Sequence, residues 1–327
     1  MKVLYISRNP KMGFSIGKVF APIIKAMHEK AEVESIELPC ANYSLKSLWI
    51  NIKTARRAIQ KNTYDIVHIT GSEHYLLPFI NARHIVVTVH DLGFFTNLRT
   101  TPRTLLKYLL WIRTLKYADY VTFISSKSEK EALNLVRLKD NKHSVVFNPI
   151  GTEFHYAPKS INTEFPTILH IGIKPNKNLN TTAIALNGYP CKLRIVGKID
   201  DNTKTILDLN KINYENVSNL TDQELLQEYI NCDYVNFPSL YEGFGMPIIE
   251  GQAVGRPILT SNLSPMKEIA GNAAVLINPS DPEAIRNGYN YLSTHVDDLI
   301  QKGLVNVQRF QLNKVVEDYY NIYKSLL

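Results

Sequence analysis

Two glutamates flank a glycine-rich segment with the sequence Glu242-Gly-Phe-Gly-Met-Pro-Ile-Ile-Glu250. Gly243 and Gly245 allow the backbone to come close to a ligand, and the free amides at a helix start attract phosphate. An ionised carboxylate instead accepts hydrogen bonds from both hydroxyls of a diol. Residues of these types at this spacing therefore suit a sugar that is joined through phosphates to a ribose.

The elements around this segment must hold the two carboxylates in place. An apolar run that ends with Tyr234–Phe237 predicts a buried strand before it. Pro247 is typical of the first turn of a helix, and Gly255 predicts where that helix ends. Glu242 is thus expected on the loop and Glu250 about one turn inside the helix. A purely structural alternative stays open, in which Glu242 is a solvated loop residue and Glu250 only favours the helix dipole.

The same segment resembles the Glu-x7-Glu signature of the large retaining glycosyltransferase family 4. Members of that family have the GT-B fold, in which two doubly wound Rossmann-like α/β domains face each other across a cleft. The resemblance covers most of the chain and is most specific from Ile168 to Pro282. It implies that the first domain binds the acceptor and that the second binds a nucleotide-diphosphate sugar.

The resemblance also implies a role for individual residues. Glu250 would hold the ribose diol, and Glu242 would position the hydroxyls of the donor sugar. Lys177 would offset the charge of the leaving diphosphate, and His90 would reach the donor sugar. The predicted catalytic residues are Glu242, His90 and Lys177. The predicted donor-binding residues are Gly13, Lys174, Gly197, Gly243, Phe244, Gly245, Met246 and Glu250.

Lysines follow the first strand that the sequence predicts in the second half of the chain. The run Ile173-Lys-Pro-Asn-Lys-Asn178 comes after a glycine and before a helix, an arrangement that suits phosphate. Family members often have an Arg-Lys pair here, and Lys177 matches the lysine. Because Asn176 stands at the arginine position, either Lys174 supplies the second charge or the clamp is weaker.

Polar residues also follow predicted strands of the first domain. His90 and Asp91 come directly after the apolar strand Ile85–Val89, at the carboxyl end where ligands of open α/β sheets bind. Gly13 and Ser15 are the nearest match to the glycine-rich first loop of the family. Two structural alternatives stay open. His90 could be an ordinary polar residue at a strand end, and the loop with Gly13 and Ser15 could be a plain connector.

Positive charge is concentrated in the first half of the chain. Residues 1–150 contain 22 Lys or Arg against 11 Asp or Glu, and the remainder contains 15 against 19. A basic segment of this kind is suited to binding nucleic acid, an anionic membrane or an anionic acceptor. No nucleic-acid motif is present, so we expect an acceptor or peripheral membrane contact and no nucleic acid. The predicted helix from Arg99 to Tyr117 carries Lys and Arg side chains beside large apolar residues, an arrangement that suits either lipid docking or core packing.

The chain of 327 residues is long enough for two α/β domains. We predict an acceptor domain over 1–151, a nucleotide-sugar domain over 152–308 whose first residues, 152–165, form a linker, and a helix over 309–327 that packs back on the first domain.

Composition also indicates the compartment and the cofactors. The three cysteines show no pairing or metal-binding spacing, which fits a reducing compartment. No apolar run reaches about 18 residues, so no membrane-spanning helix is expected. A cytoplasmic protein is therefore predicted, with a membrane contact on the cytoplasmic face left open. The sequence contains no Asp-x-Asp, so neither a metal nor another cofactor is expected.

The predicted activity is transfer of a hexose, such as mannose, glucose or galactose, with retention of configuration and without a covalent enzyme intermediate. The donor would be a nucleotide-diphosphate sugar, and the acceptor a glycan or lipid-linked sugar in surface polysaccharide biosynthesis. A nucleotide-sugar epimerase, a glycan phosphorylase and a non-catalytic nucleotide-sugar-binding protein of similar fold are the alternatives.

Overall fold

A computed structural model describes residues 1–12, 15–93, 101–139 and 141–327. These residues form two compact units, one made of Met1–Pro149 with Leu312–Leu327 and the other of Ile150–Gln311. The division thus falls two residues before the boundary predicted at 151, and the final segment joins the first unit from Leu312 onwards.

The first unit contains a parallel sheet of six strands in the order β2-β1-β3-β4-β5-β6. Its strands are β1 Lys2–Ser7, β2 Glu32–Glu37, β3 Ile66–Ile69, β4 His84–Val89, β5 Tyr120–Phe123 and β6 His143–Val145. β4 is almost wholly buried, as its continuous apolar sequence predicts for a strand that is covered on both faces. The order of connection reverses between β1 and β3, and open α/β sheets bind ligands at such a switch point.

Among the described residues, four α-helices of the first unit precede the second unit along the chain: α1 Ser15–Met27, α2 Leu45–Lys61, α3 Pro102–Lys107 and α4 Ser126–Leu135. α2 begins where the Ser44 side chain accepts a hydrogen bond from the Ser47 amide. α4 begins with a reciprocal cap, in which the Ser125 side chain accepts a hydrogen bond from the Ser128 amide and the Ser128 side chain accepts one from the Ser125 amide.

The helix predicted from Arg99 to Tyr117 is helical in its described part, where α3 continues as a π-helical turn and a 3-10 turn. Its apolar residues divide between core and surface. Trp111, Ile112 and Leu115 are buried, whereas Leu105, Leu106 and Leu109 are exposed. Core packing is thus confirmed for half of the set. The membrane contact stays a prediction, which co-sedimentation with anionic vesicles would test.

The second unit contains another six-stranded parallel sheet, in the order β12-β11-β10-β7-β8-β9. Its strands are β7 Thr167–Ile171, β8 Lys192–Val196, β9 Tyr214–Val217, β10 Tyr234–Phe237, β11 Ile258–Ser261 and β12 Val275–Ile277. Its helices are α5 Leu179–Leu186, α6 Asp201–Leu209, α7 Asp222–Asn231, α8 Met246–Val254, α9 Met266–Ala270, α10 Pro282–Thr294 and α11 Val296–Asn306. The order reverses between β7 and β10, which places a second switch point there.

The helix predicted after the glycine segment is α8, with the predicted limits. Gly245 precedes it at φ 114°, a conformation that an L side chain rarely adopts, and Pro247 lies in its first turn. Gly255 ends it at φ 79°, with its amide directed to the carbonyls of Gly251 and Gln252. The strand, glycine loop and helix expected from the sequence are therefore confirmed.

The last helix, α12 Leu312–Leu326, completes the first unit. Val315, Val316 and Tyr319 on it are buried, and the hydroxyl of its Tyr323 lies 3.0 Å from that of Tyr5 on β1. The same hydroxyl lies 2.6 Å from Nδ1 of His68 on β3, which is fully buried. α12 therefore closes the core of the first unit through both apolar and polar contacts.

Within the described ranges no helix is both long and apolar enough to cross a membrane. All three cysteines have free thiols.

Candidate active site

Two loops meet at the switch point of the second sheet, one after β7 and one after β10. The Leu240 amide donates a hydrogen bond to the Asn176 carbonyl at 2.8 Å. The Asn176 side chain in turn donates to the Tyr241 carbonyl at 2.9 Å. Asn176, which departs from the family pattern at a charged position, thus holds the two loops together.

Lys177 and Glu242 form an ion pair between these loops. Lys177 Nζ lies 2.6 Å from Glu242 Oε1 and 4.7 Å from the centroid of the Phe237 ring. Both side chains are mostly buried, with 19% and 15% of their surface exposed. Because partial burial weakens screening by water, this cation is held more firmly than one of a surface pair. The two predicted catalytic residues of the second unit are therefore neighbours.

Close approach at two strand ends explains two glycines of the site. Gly172 follows β7 at φ 91°, and a Cβ there would lie 3.0 Å from Cγ of Lys177. Gly197 follows β8 at φ 138°, and a Cβ there would lie 2.9 Å from Cγ2 of Ile173. Gly197, a predicted donor-binding residue, thus borders the same loop as Lys177.

Glu250 lies inside α8, about one turn from its start. Its Oε2 accepts a hydrogen bond of 2.5 Å from the hydroxyl of Tyr229 on α7. Tyr229 is fully buried, and burial followed by the charge of Glu250 raises the pKa of its phenol well above its ordinary value. The phenol therefore stays protonated and fixes the orientation of the carboxylate.

The other predicted donor-binding residues have different surroundings. Phe244 is buried, with its ring edge-on to Phe310 at a centroid distance of 5.9 Å, and Met246 is the half-buried first residue of α8. Lys174 is exposed and is not part of the Lys177 ion pair. Gly13 lies outside the described residues.

Asn178 is a structural residue of the site, although its sequence context predicted no role for it. It adopts φ 65°, which asparagine tolerates better than most residues. Its side chain donates to the carbonyls of Pro238 at 3.1 Å and Pro279 at 2.6 Å. It thereby joins the loops that follow β7, β10 and β12. Its position just before α5 was the one local signal.

A buried histidine lies close enough to Lys177 for the ammonium charge to affect its pKa. His170 on β7 is 1% exposed, and its Nδ1 lies 2.8 Å from the side-chain nitrogen of Asn236. Burial, and next the charge of Lys177, lowers its pKa to about 3. His170 is thus neutral near pH 7 and adds no second positive charge beside Lys177.

His90 belongs to the first unit, where it follows β4. Its Nε2 donates to the Thr70 carbonyl at 2.9 Å, and its ring lies edge-on to Phe20. Burial lowers its pKa to about 4, so the imidazole is neutral near pH 7. With Nε2 as a donor, Nδ1 is left as the acceptor nitrogen.

The arrangement in the second unit combines groups of opposite chemical preference. Lys177 and the N-terminal turn of α8 favour an anion such as a diphosphate. Glu242 and Glu250 favour hydroxyl groups instead. All of these groups belong to the loops after β7 and β10 or to the first turns of α8, so one ligand with phosphates and hydroxyls matches the set.

Both halves of the chain are similar to known proteins. The family model described as "Glycosyl transferases group 1" matches residues 152–297, and that described as "Glycosyltransferase Family 4" matches residues 18–154. O-antigen chain mannosyltransferase B of Escherichia coli is 24% identical over 291 residues, which cover 79% of this chain and 74% of the relative. The chain spans only about 25% of another relative, the serotype-specific mannosyltransferase WbdA of the same species.

Solved structures share the fold over the whole chain. Sucrose-phosphate synthase from Thermosynechococcus elongatus superimposes with a TM-score of 0.83 at 16% identity, covering 100% of this chain and 99% of that one. Anabaena HepE in complex with UDP-glucose gives 0.73 at 16% identity, covering 99% and 100%. The two family models together span residues 18–297, and the chain belongs to the family 4 type of glycosyltransferases, with the GT-B fold.

Proposed function

We propose that this glycosyltransferase moves a hexose from a nucleotide-diphosphate sugar to a glycan acceptor, with retention, during assembly of a surface polysaccharide. The observation that carries the proposal is the ion pair between Lys177 and Glu242 at the switch point of the second sheet. The relative named O-antigen chain mannosyltransferase B supports a hexose and a surface glycan. The neighbour that holds UDP-glucose supports a nucleotide-sugar donor.

In this proposal each charged group has one task. Lys177 and the amides at the start of α8 neutralise the diphosphate as it leaves, without a metal ion. Glu250, oriented by Tyr229, accepts hydrogen bonds from the ribose diol. Glu242 shares its carboxylate between Lys177 and hydroxyls of the donor sugar. His90 stays a predicted contact of the donor sugar.

The transfer step breaks the bond between the anomeric carbon and the diphosphate oxygen. A bond to the acceptor oxygen forms on the same face of the sugar, and the acceptor proton passes to the departing phosphate oxygen. Glu242 is paired with Lys177 and therefore serves as a hydrogen-bond acceptor rather than as a nucleophile. No covalent enzyme intermediate is part of this scheme.

The configuration of the product tests the proposal directly. The protein is incubated with GDP-mannose, UDP-glucose or UDP-galactose and with octyl hexosides as acceptors, and the anomeric coupling of the product is measured by NMR. For a donor with an α linkage we expect an α-linked product and no glycosylated protein in the mass spectrum. A β-linked product, or a stable adduct on Glu242, would refute retention by this route. Conversion of the donor sugar without an acceptor would favour the epimerase instead.

Gly172→Ala is expected to reduce turnover about tenfold or more while destabilising the fold by only about 1–2 kcal/mol. The new Cβ would lie 3.0 Å from Cγ and 3.1 Å from Cε of Lys177 and would displace the cation. Gly188→Ala is the matched control, because Gly188 also has a positive φ, of 70°, but nothing within 4 Å of the added Cβ. Thermal unfolding and kcat are measured for both. Equal kcat in the two variants would show that turnover does not depend on the position of the Lys177 side chain.

A further inference from the structure

A buried arginine follows the helix that carries Glu250. Arg256 lies two residues beyond the end of α8 and is only 2% exposed. Burial lowers the pKa of its guanidinium, which still stays protonated because arginine keeps its proton in proteins. Asp233, whose charge reaches this guanidinium, is itself paired with Lys159 at 2.8 Å. A buried cation is costly unless other groups offset its charge, so Arg256 calls for a specific explanation.

The guanidinium of Arg256 contacts backbone carbonyls from three segments of the second unit. Its Nη2 donates to the carbonyl of Ile230, near the end of α7, at 2.7 Å. Its Nη1 lies 3.0 Å from the carbonyl oxygen of Val254 and 3.1 Å from that of Gly255, at the end of α8. The same nitrogen lies 3.0 Å from the carbonyl oxygen of Ala157 in the linker. Helix ends of this polarity carry partial negative charge, so α7 and α8 together supply the counter-charge.

The end of α8 has a cap of its own, which does not depend on this arginine. Gly255 ends the helix, with its amide directed to the carbonyls of Gly251 and Gln252. The guanidinium therefore adds a link between α8 and α7 rather than a second cap. Its two nitrogens stand in a rigid fork, which fixes the spacing of the two helix ends. The single ammonium group of a lysine could not hold both ends in this way.

The link lies beside the pair that orients the carboxylate of the donor site. Tyr229 directly precedes Ile230 on α7, and Glu250 lies one turn before Val254 on α8. The Tyr229 hydroxyl donates to Oε2 of Glu250 at 2.5 Å. Such a hydrogen bond weakens steeply when its length or angle changes. The spacing that Arg256 sets between the two helices therefore controls the geometry at Glu250.

We propose that Arg256 is a positioning residue of the donor site, which holds α7 and α8 together so that Tyr229 can orient the Glu250 carboxylate toward the ribose diol. This role rests on the proposed transfer function and adds to it a residue that does not touch the nucleotide itself. Because Arg256 acts through Glu250, its effect concerns the ribose. The diphosphate contacts at Lys177 and at the start of α8 are separate from it.

Isothermal titration with UDP, GDP and inorganic pyrophosphate tests this role, because pyrophosphate lacks the ribose. In Arg256→Lys we expect the affinity for the nucleotide that the parent binds to fall about fivefold or more. Pyrophosphate affinity should change less than twofold. Arg256→Gln, which keeps a donor but removes the buried charge, and Tyr229→Phe, which keeps the ring but removes the hydroxyl, should show the same split. Thermal unfolding checks that each variant is folded.

A double variant distinguishes positioning from a general loss of order. Once Glu250 is alanine, the arginine has no carboxylate left to position. Arg256→Lys combined with Glu250→Ala should therefore bind UDP or GDP as weakly as Glu250→Ala alone, to within about twofold. A further fivefold loss in the double variant, or equal losses for nucleotide and pyrophosphate in Arg256→Lys, would show that Arg256 serves only the fold and would overturn the proposal.

Arg286→Lys is the matched control for these measurements. Arg286 lies on α10 and also donates to carbonyls at the end of a helix in the second unit, those of Ala185 at 3.0 Å and of Asn187. Its hydrogen bonds join α10 to the end of α5 instead of α7 to α8. Nucleotide affinity in Arg286→Lys should therefore equal that of the parent.

Two further outcomes distinguish the positioning role from the transfer function on which it rests. A parent that bound neither UDP nor GDP would overturn both. If the parent binds nucleotide and transfers hexose, and Arg256→Lys and Tyr229→Phe equal it in nucleotide affinity, only the positioning role is wrong.

Discussion

Replacing Lys177 by methionine is expected to lower kcat for hexose transfer by about 100- to 1,000-fold. The ammonium group lies 2.6 Å from Glu242 at the point where we propose that the diphosphate departs. Methionine keeps the length and the apolar stem of the side chain but removes the charge. The leaving phosphates would then lose their cation, and Glu242 would stay partly buried without it. We expect the donor Kd to rise less than kcat falls, because the charge to be offset grows as the bond breaks.

Lys302→Met is the matched control for this variant. Lys302 also makes an ion pair of 2.6 Å, with Asp298 one turn earlier on α11, but its side chain is far more exposed. Its replacement should leave kcat unchanged and should alter stability by at most about 1 kcal/mol. Steady-state kinetics with a saturating donor distinguish the two. If Lys177→Met transferred hexose as fast as Lys302→Met, the diphosphate would have to be neutralised elsewhere.

Replacing Glu250 by alanine should weaken the binding of the free nucleoside diphosphate by about 10- to 100-fold, because hydrogen bonds to a charged acceptor contribute about 1.5–3 kcal/mol. The ribose would lose its carboxylate, and the buried Tyr229 hydroxyl would lose the partner that it now has at 2.5 Å. Isothermal titration with UDP and with GDP measures the effect. Glu242→Ala should behave differently, with nucleotide affinity nearly kept and transfer strongly reduced, because Glu242 is assigned to the sugar.

Glu317→Ala provides the comparison for Glu250. Like Glu250, Glu317 is a glutamate on a helix, but it lies in the first unit and pairs with Lys30 at 2.6 Å. Nucleotide affinity should then equal that of the parent. Should the Glu250 and Glu242 variants both bind nucleotide and transfer hexose like the parent, the assignment of the two carboxylates would be wrong.

Local sequence was sufficient for the elements that carry the two carboxylates. Gly245 and Gly255 need positive φ, Pro247 suits a first helical turn, and the apolar run to Phe237 has the length of a buried strand. Each of these signals acts within a few residues. The strand, loop and helix could therefore be predicted without knowledge of the rest of the fold.

Contacts between distant residues were not accessible in this way. Lys177 and Glu242 are 65 positions apart, and they meet only because β7 and β10 are neighbours in the sheet. The resemblance to a known family suggested both residues but not their ion pair. Tyr229 has no local feature that marks it as the partner of Glu250, since the contact depends on how α7 packs against α8. Asn176 looked like a loss of charge, whereas its amide joins two loops.

Burial was the other quantity that the sequence could not supply. Leu105 and Leu106 have the same apolar character as Leu115, yet two of the three face solvent. Glu73 is only 2% exposed, and no local feature of the sequence marks this carboxyl group as buried.

The position of α12 has a consequence for how the chain folds during synthesis. The first unit is discontinuous, since Leu312–Leu327 joins it only after the whole of Ile150–Gln311. The contacts of Tyr5 and His68 with the Tyr323 hydroxyl can therefore form only after the ribosome has synthesised the entire second unit. The first unit is thus the first to be synthesised and the last to have all of its residues available for folding.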